Sequence, residues 1–136
     1  MAVRLIVPKE RASGEKRVAL VPAVAQRLEK LGIEISLEKG AGDSARYPDT
    51  AYENVEISKP DELYAQPGVV IRVQPPEPEE VEQMAEGSTL IGYLSPYAND
   101  DLIRKLQEKK ITSFSMELIP RISRAQSMDS LSSQAS

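Results

Sequence analysis

The chain contains no cysteine and no histidine among its 136 residues. Without cysteine there can be no disulfide, no thiol nucleophile and no thiolate metal site, which fits a reducing compartment. Without histidine there is no imidazole ligand and no ordinary proton shuttle near neutral pH. A Ser-His-Asp hydrolase and a histidine-ligated zinc enzyme are therefore excluded. Excess positive charge is also absent: 17 Lys and Arg face 21 Asp and Glu, a net charge of −4. That balance argues against a nucleic-acid binder, which needs a basic face. Long apolar runs are missing too. The longest, Val18 to Ala25, is broken by Pro22 and falls far short of the roughly 20 residues of a spanning helix. The opening Met1-Ala-Val-Arg-Leu-Ile-Val-Pro-Lys-Glu10 stops its apolar stretch at a proline and a charge pair, unlike a signal peptide.

What is present suits one soluble α/β domain. Hydrophobic residues make up 40% and charged residues 28%, an ordinary globular composition. Strand-like runs at 3–7, 33–37, 55–57, 69–73, 89–94 and 111–116 alternate with helical patterns. Pro22 opens a helix with Val24, Leu28 and Leu31 at helical spacing, closed by Gly32. A single helical turn is expected over 49–54, a short helix over 60–66 and another from Glu79. Asn99 is placed to cap the best-signalled helix, with Asp100 and Asp101 in its first turn and Lys109 and Lys110 in its last. Such alternation predicts a parallel sheet covered on both faces.

Several motifs invite a chemical reading. Gly40-Ala-Gly-Asp-Ser-Ala45 matches the G-x-G-x-x-G/A dinucleotide pattern after a strand. That fingerprint works when a helix starts on the turn and aims its amides at a pyrophosphate. Here Arg46-Tyr47-Pro48 follows, so the segment reads as a tight strand exit. Lys9, Glu10, Arg11, Glu15, Lys16 and Arg17 cluster after the first strand, where open α/β sheets place ligands. Arg17 is suited to clamp a carboxylate in bidentate fashion, although such charge runs are usually solvated. Glu77, Glu79, Glu80, Glu82 and Glu86 read as a solvated helix face, since no ligand loop accompanies them. Tyr93 and Tyr97 flank Ser95-Pro96, at a pocket mouth or half packed. The final sixteen residues, 121–136, hold six serines together with Arg121, Arg124, Gln126 and Asp129. They form either a hydrogen-bonding loop or a flexible terminus, and the expectation is that the chain is cut within a helix there.

Pro8-Lys9-Glu10, Glu15-Lys16-Arg17-Val18-Ala19, Glu38-Lys39-Gly40-Ala41-Gly42 and Pro120-Arg-Ile-Ser-Arg-Ala-Gln-Ser-Met-Asp129 resemble the N-terminal domain shared by alanine dehydrogenases and proton-translocating NAD(P) transhydrogenase alpha subunits. The resemblance covers essentially the whole chain, and its last motif belongs to the transhydrogenase side. Two positions separate the families. Where alanine dehydrogenases carry a substrate-binding lysine, this chain has Gln74; where they carry a catalytic histidine, it has Leu94-Ser95-Pro96. Oxidative deamination moves protons as well as a hydride and needs an acid–base group. Hydride transfer between two nicotinamides moves no proton at the reacting carbon and needs positioning and a dry site.

The resemblance implies an α/β, three-layer, Rossmann-like domain with a mostly parallel sheet and no dinucleotide fingerprint of its own. It would occupy residues 1–120, with 121–136 as a nicotinamide-facing loop and the start of a connecting helix. It further implies that Arg121, Gln126, Asp129 and Ser132 line the NAD(H) nicotinamide, with Gln126 reaching toward NADP(H) on a partner component. Gln126 and Asp129 carry the catalytic role in that reading, and no metal is expected. The family unit is a homodimer on the cytoplasmic side of a membrane, joined to NADP(H)-binding and membrane-embedded components. The chain alone is expected to be inactive. The segment Tyr52-Glu53-Asn54-Val55 is shorter than the family's usual one. An amino-acid dehydrogenase domain and a non-catalytic dimerisation module are the alternative readings.

Overall fold

A computed structural model describes residues 3–94 and 99–116. The element order is β1 (Arg4–Val7), α1 (Pro22–Lys30), β2 (Glu34–Glu38), β3 (Glu56–Ser58), α2 (Pro60–Leu63), β4 (Val69–Ile71), α3 (Pro78–Gln83), β5 (Thr89–Gly92), α4 (Asp100–Glu108) and β6 (Thr112–Ser115). Three of the helices begin with proline, which fits a first helical position because its missing N–H would be unpaired there anyway.

All six strands are parallel, in the order β3-β2-β1-β4-β5-β6. That is the doubly wound arrangement, and its strand order reverses between β1 and β4. Alternation along the strands sorts side chains to two cores. Ile6, Val70 and Leu90 point to one face, where Leu63 of α2, Val81 of α3, and Leu102 and Leu106 of α4 cover them. Leu5, Val7, Ile35 and Leu37 point to the other, where Ala25 of α1 and Val18 and Leu20 of the preceding loop pack on them. Helices thus lie on both faces of a parallel sheet, giving the expected three layers.

Three local expectations need correction. Val24 and Leu31 do not form the buried stripe of α1: they are 41% and 76% exposed, and Ala25 is buried instead. Asn99 stands at the N-cap of α4, but its carboxamide donates to the Leu94 carbonyl at 3.0 Å and makes no cap bond. Helix α4 also ends at Glu108, so Lys105 is the basic residue of its last turn. The domain boundary at 120/121 lies outside the described residues.

Candidate functional site

The strands point their C-terminal ends at one edge, so the loops after β1 and β4 face each other across the switch point. A buried carboxylate joins them. Glu10, with a side chain 2% exposed, accepts the Val73 N–H at 2.8 Å and the Gln74 N–H at 3.0 Å. Its second role is electrostatic: Arg72 Nε lies 3.4 Å away. Arg72 is equally buried and also binds Glu80 on α3, with Nη1 at 2.5 and 2.6 Å from the two carboxylate oxygens. The Tyr64 hydroxyl donates to Glu80 Oε2 at 2.9 Å. Beside this group, Arg11 pairs with the buried Glu38, whose Oε1 also accepts the Lys9 N–H at 3.1 Å.

These contacts bring two buried carboxylates, Glu10 and Glu38, and the partly buried Glu80 against two guanidinium groups, Arg11 and Arg72. The balance is one negative charge in excess. Burial pushes the Glu80 carboxyl above its ordinary value, although Arg72 and the Tyr64 hydroxyl act in the opposite direction. Burial, together with the neighbouring Glu80 charge, raises the Tyr64 phenol as well, so it stays a donor. A 290 Å³ cavity between α2 and α3 is lined by Arg11, Glu38, Tyr64, Arg72 and Glu80. The groups that face it are already paired with one another.

On the other side of the sheet a wider groove of 640 Å³ opens at the C-terminal ends of β4, β5 and β6. Val18, Ala19, Ile71, Val73, Ile91 and Met116 form its apolar lining, with Tyr93 and Arg17 also on its walls. Gly92 fits because its neighbour is backbone: a Cβ there would stand 2.6 Å from the Arg72 carbonyl oxygen. Arg17 is not a free cation. Its Nε and Nη2 each donate to Glu15 at 2.9 Å, and its own N–H donates to Glu15 Oε2 at 2.8 Å. Gln74 Nε2 completes the set, donating to Glu15 Oε1 at 2.7 Å. The Arg17 hydrogen bonds, with help from Gln74, hold the Glu15 carboxyl down to about 2.

The charged cluster after β1 is therefore not simply solvated surface. Glu10 is buried at the switch point, and the Glu15 side chain is only 7% exposed. Glu80 corrects the reading of an all-solvated acidic helix, while its neighbours Glu82 and Glu86 do sit outside, paired with Lys105 and Lys110. Sequence reasoning missed Arg72, Glu38 and Tyr64. Arg72 left one signal, a lone charge inside the apolar run 69–73.

The Gly40–Ala45 turn has no room for a pyrophosphate role. Its second half is a single 3₁₀ turn, Asp43–Ala45, after which Arg46 adopts a left-handed conformation at φ 67°, so no α-helix starts on it. The Gly40 N–H already donates to Asp49 Oδ1 at 2.9 Å. A Cβ at Gly42 would lie 2.5 Å from the Tyr47 carbonyl oxygen, so this glycine serves the turn's own packing. The segment after it is fixed by Tyr52, whose buried hydroxyl donates to the Leu20 carbonyl at 2.7 Å. Tyr97, Arg121, Arg124, Gln126, Asp129 and Ser132 lie outside the described residues.

Fold and crevice define a doubly wound α/β domain whose ligand edge carries paired charges and an apolar groove. Comparison with known proteins narrows this further. Residues 6–136 match the family model described as "Alanine dehydrogenase/PNT, N-terminal domain", and the chain belongs to that family. An NAD(P) transhydrogenase subunit alpha chain of Rhodospirillum rubrum is 41% identical over 98% of this chain and 37% of its own length. The crystal structure of a transhydrogenase from Sinorhizobium meliloti superposes with a TM-score of 0.83 at 35% identity, covering 97% of this chain and 40% of that one. Alanine dehydrogenase of Bacillus subtilis is more distant: 32% identical over 83% of this chain and 30% of its own. The chain thus spans about two fifths or less of the length of these relatives.

Proposed function

We propose that this domain forms the nicotinamide-facing part of the NAD(H)-binding component of an NAD(P) transhydrogenase. The observation that carries this reading is the chemistry at the crevice. A histidine-free chain places Gln74, not a lysine, beside Arg17, and Glu15 already occupies that arginine. These groups offer no acid–base pair working near neutral pH, which deamination of an amino acid would require.

Nicotinamide supplies the hydride chemistry, and the chain's residues serve to bind, orient and dry it. The apolar groove suits a flat ring. Arg121, Asp129 and Ser132 would orient the NAD(H) carboxamide. Gln126 would reach toward NADP(H) on a partner component. Hydride moves from one ring to the other as a two-electron unit, so alignment is the main task. The working unit in this reading is a homodimer on the cytoplasmic side of the inner membrane, held there by membrane-embedded partner components. Among the described residues no helix is long and apolar enough to cross a membrane.

The test joins residues 1–136 to the remainder of the Rhodospirillum rubrum subunit, adds the NADP(H)-binding partner component, and assays two reactions. Hydride transfer from NADPH to an NAD⁺ analogue, without pyruvate- and ammonia-dependent oxidation of NADH, is the expected pattern. The reverse pattern would assign the domain to amino-acid dehydrogenation.

A further inference from the structure

Arg72 links the two faces of the sheet. Its main chain belongs to the floor of the apolar groove: its N–H donates to the Ile91 carbonyl at 2.9 Å, and its own carbonyl packs against Gly92. Its side chain leaves on the opposite face and reaches the 290 Å³ cavity between α2 and α3. There both carboxylate oxygens of Glu80 take Nη1, and Tyr64 of α2 donates to Glu80. Nearer the strand end, Nε faces Glu10 and donates to the Gln74 carbonyl at 3.3 Å. Glu10 in turn holds the Val73 and Gln74 N–H groups. The backbone after β4 is thus tied, through one guanidinium, to a carboxylate on α3 that lies outside the groove's lining.

We infer that Glu80 and Tyr64, on the face of the sheet away from the groove, are positioning residues for it: through Arg72 and Glu10 they set the backbone of 72–74, and a proton on Glu80 releases that backbone.

Charge supplies the reason. Glu10, Glu38 and Glu80 face only two guanidinium groups, Arg11 and Arg72, which leaves one negative charge uncompensated. A proton on Glu80 makes the numbers equal, Glu10 with Arg72 and Glu38 with Arg11. A proton on Glu10 or Glu38 would instead compete with the main-chain N–H groups that they accept. Among the described residues Glu80 accepts no main-chain donor. Its hydroxyl partner on Tyr64 can both donate and accept, and so suits either state of Glu80.

The surroundings act in the same sense. Arg72 from β4, Tyr64 from α2, Arg11 from the loop after β1 and Glu38 from β2 line the cavity with Glu80. On its own helix, Glu77 and Glu79 add negative charge at the same cavity, while Lys105 of α4 is taken by Glu82. Burial outweighs Arg72, the Tyr64 hydroxyl and Arg11, and lifts the Glu80 carboxyl above its ordinary value. Glu80 therefore takes its proton at a higher pH than an ordinary glutamate does. Only the consequence for nucleotide rests on the transhydrogenase reading; the tie between α3 and the groove concerns this chain's own side chains.

The experiment is an NMR pH titration of the isotope-labelled chain without nucleotide, reading the Glu80 carboxyl carbon and the Val73 and Gln74 amides. Both amides should move with the Glu80 midpoint, which lies above 4.5. Glu80→Gln should remove that step and leave both amides near their wild-type acid positions. Tyr64→Phe keeps the ring and removes a donor to the carboxylate, so it should raise the midpoint. In the protein joined to the remainder of the subunit, NADH affinity should fall severalfold below the midpoint, and Glu80→Gln should abolish that difference. Amides that stay flat through the Glu80 midpoint would overturn the inference, as would the same step persisting in Glu80→Gln or a midpoint unmoved by Tyr64→Phe. If the amides follow Glu80 while NADH affinity has the same pH dependence in wild type and Glu80→Gln, the nicotinamide reading of the groove fails and the positioning role stands.

Discussion

Glu10 and Val73 lie 63 positions apart and meet across the point where the sheet reverses its strand order, the Glu10 carboxylate accepting the Val73 N–H at 2.8 Å. The same carboxylate accepts the next N–H, of Gln74, and neutralises Arg72. One buried side chain therefore sets the spacing of the two loops that make the crevice. It also fixes the backbone from which Gln74 reaches Glu15.

Removing that carboxylate leaves two buried amides and a buried guanidinium short of partners. Glu10→Ala is expected to cost about 3–5 kcal/mol of stability, the usual penalty for stranding half of a buried ion pair. Glu10→Gln retains one acceptor and should cost about 1–3 kcal/mol. Urea denaturation of both variants checks the order; equal and small losses would contradict the structural role given to Glu10.

Acid titration should reveal two carboxyls acting in opposite directions. Glu15 has a folded value near 2 against an ordinary 4.5. Its contribution is present above about 4.5 and is lost as pH falls toward 2. Glu80 has a raised folded value. Folding then binds its proton more tightly than the unfolded chain does, so its contribution falls as pH rises from 4.5 through that raised value. Urea denaturation at stepped pH should show Glu80→Gln with a flatter loss above 4.5 and Glu15→Gln with a flatter loss below it. Identical pH profiles for both variants and wild type would contradict these assignments.

Packing gives a sharper contrast. Leu90 is fully buried in the core beneath α3 and α4, whereas Leu31 at the end of α1 is 76% exposed. Leu90→Ala should cost about 2–5 kcal/mol, and Leu31→Ala should stay within about 0.5 kcal/mol. Gly92→Ala should cost about 1–3 kcal/mol, because its methyl would press on the Arg72 carbonyl. Thermal unfolding distinguishes the three.

Much of the fold is legible in the sequence because periodicity and prolines carry it. The six strand-like runs each overlap an observed strand, with β2 and β3 running one residue further than expected, and Pro22, Pro60 and Pro78 mark helix starts. Alternation cannot reveal which charges are buried. Glu80 sits among exposed glutamates of the same composition, and only the fold brings it against Arg72, eight positions earlier. Val24 and Leu31 fail as core predictions because burial on α1 depends on where the helix axis meets the sheet, and the small Ala25 is what fits there. The Gly40–Ala45 turn is legible as a strand exit from Arg46-Tyr47-Pro48, since no long helix starts on it, and the structure has only a 3₁₀ turn there. The Glu15–Arg17–Gln74 unit joins residues 59 positions apart, beyond the reach of any local pattern.

The most direct test of the central claim is the rate of hydride transfer from NADPH to an NAD⁺ analogue in the joined protein assembled with its NADP(H)-binding partner component, measured with and without Gln126→Ala. The account predicts a fall of about a hundredfold, the scale expected when alignment of two reacting rings is lost. An unchanged rate in a properly folded and assembled variant would contradict it.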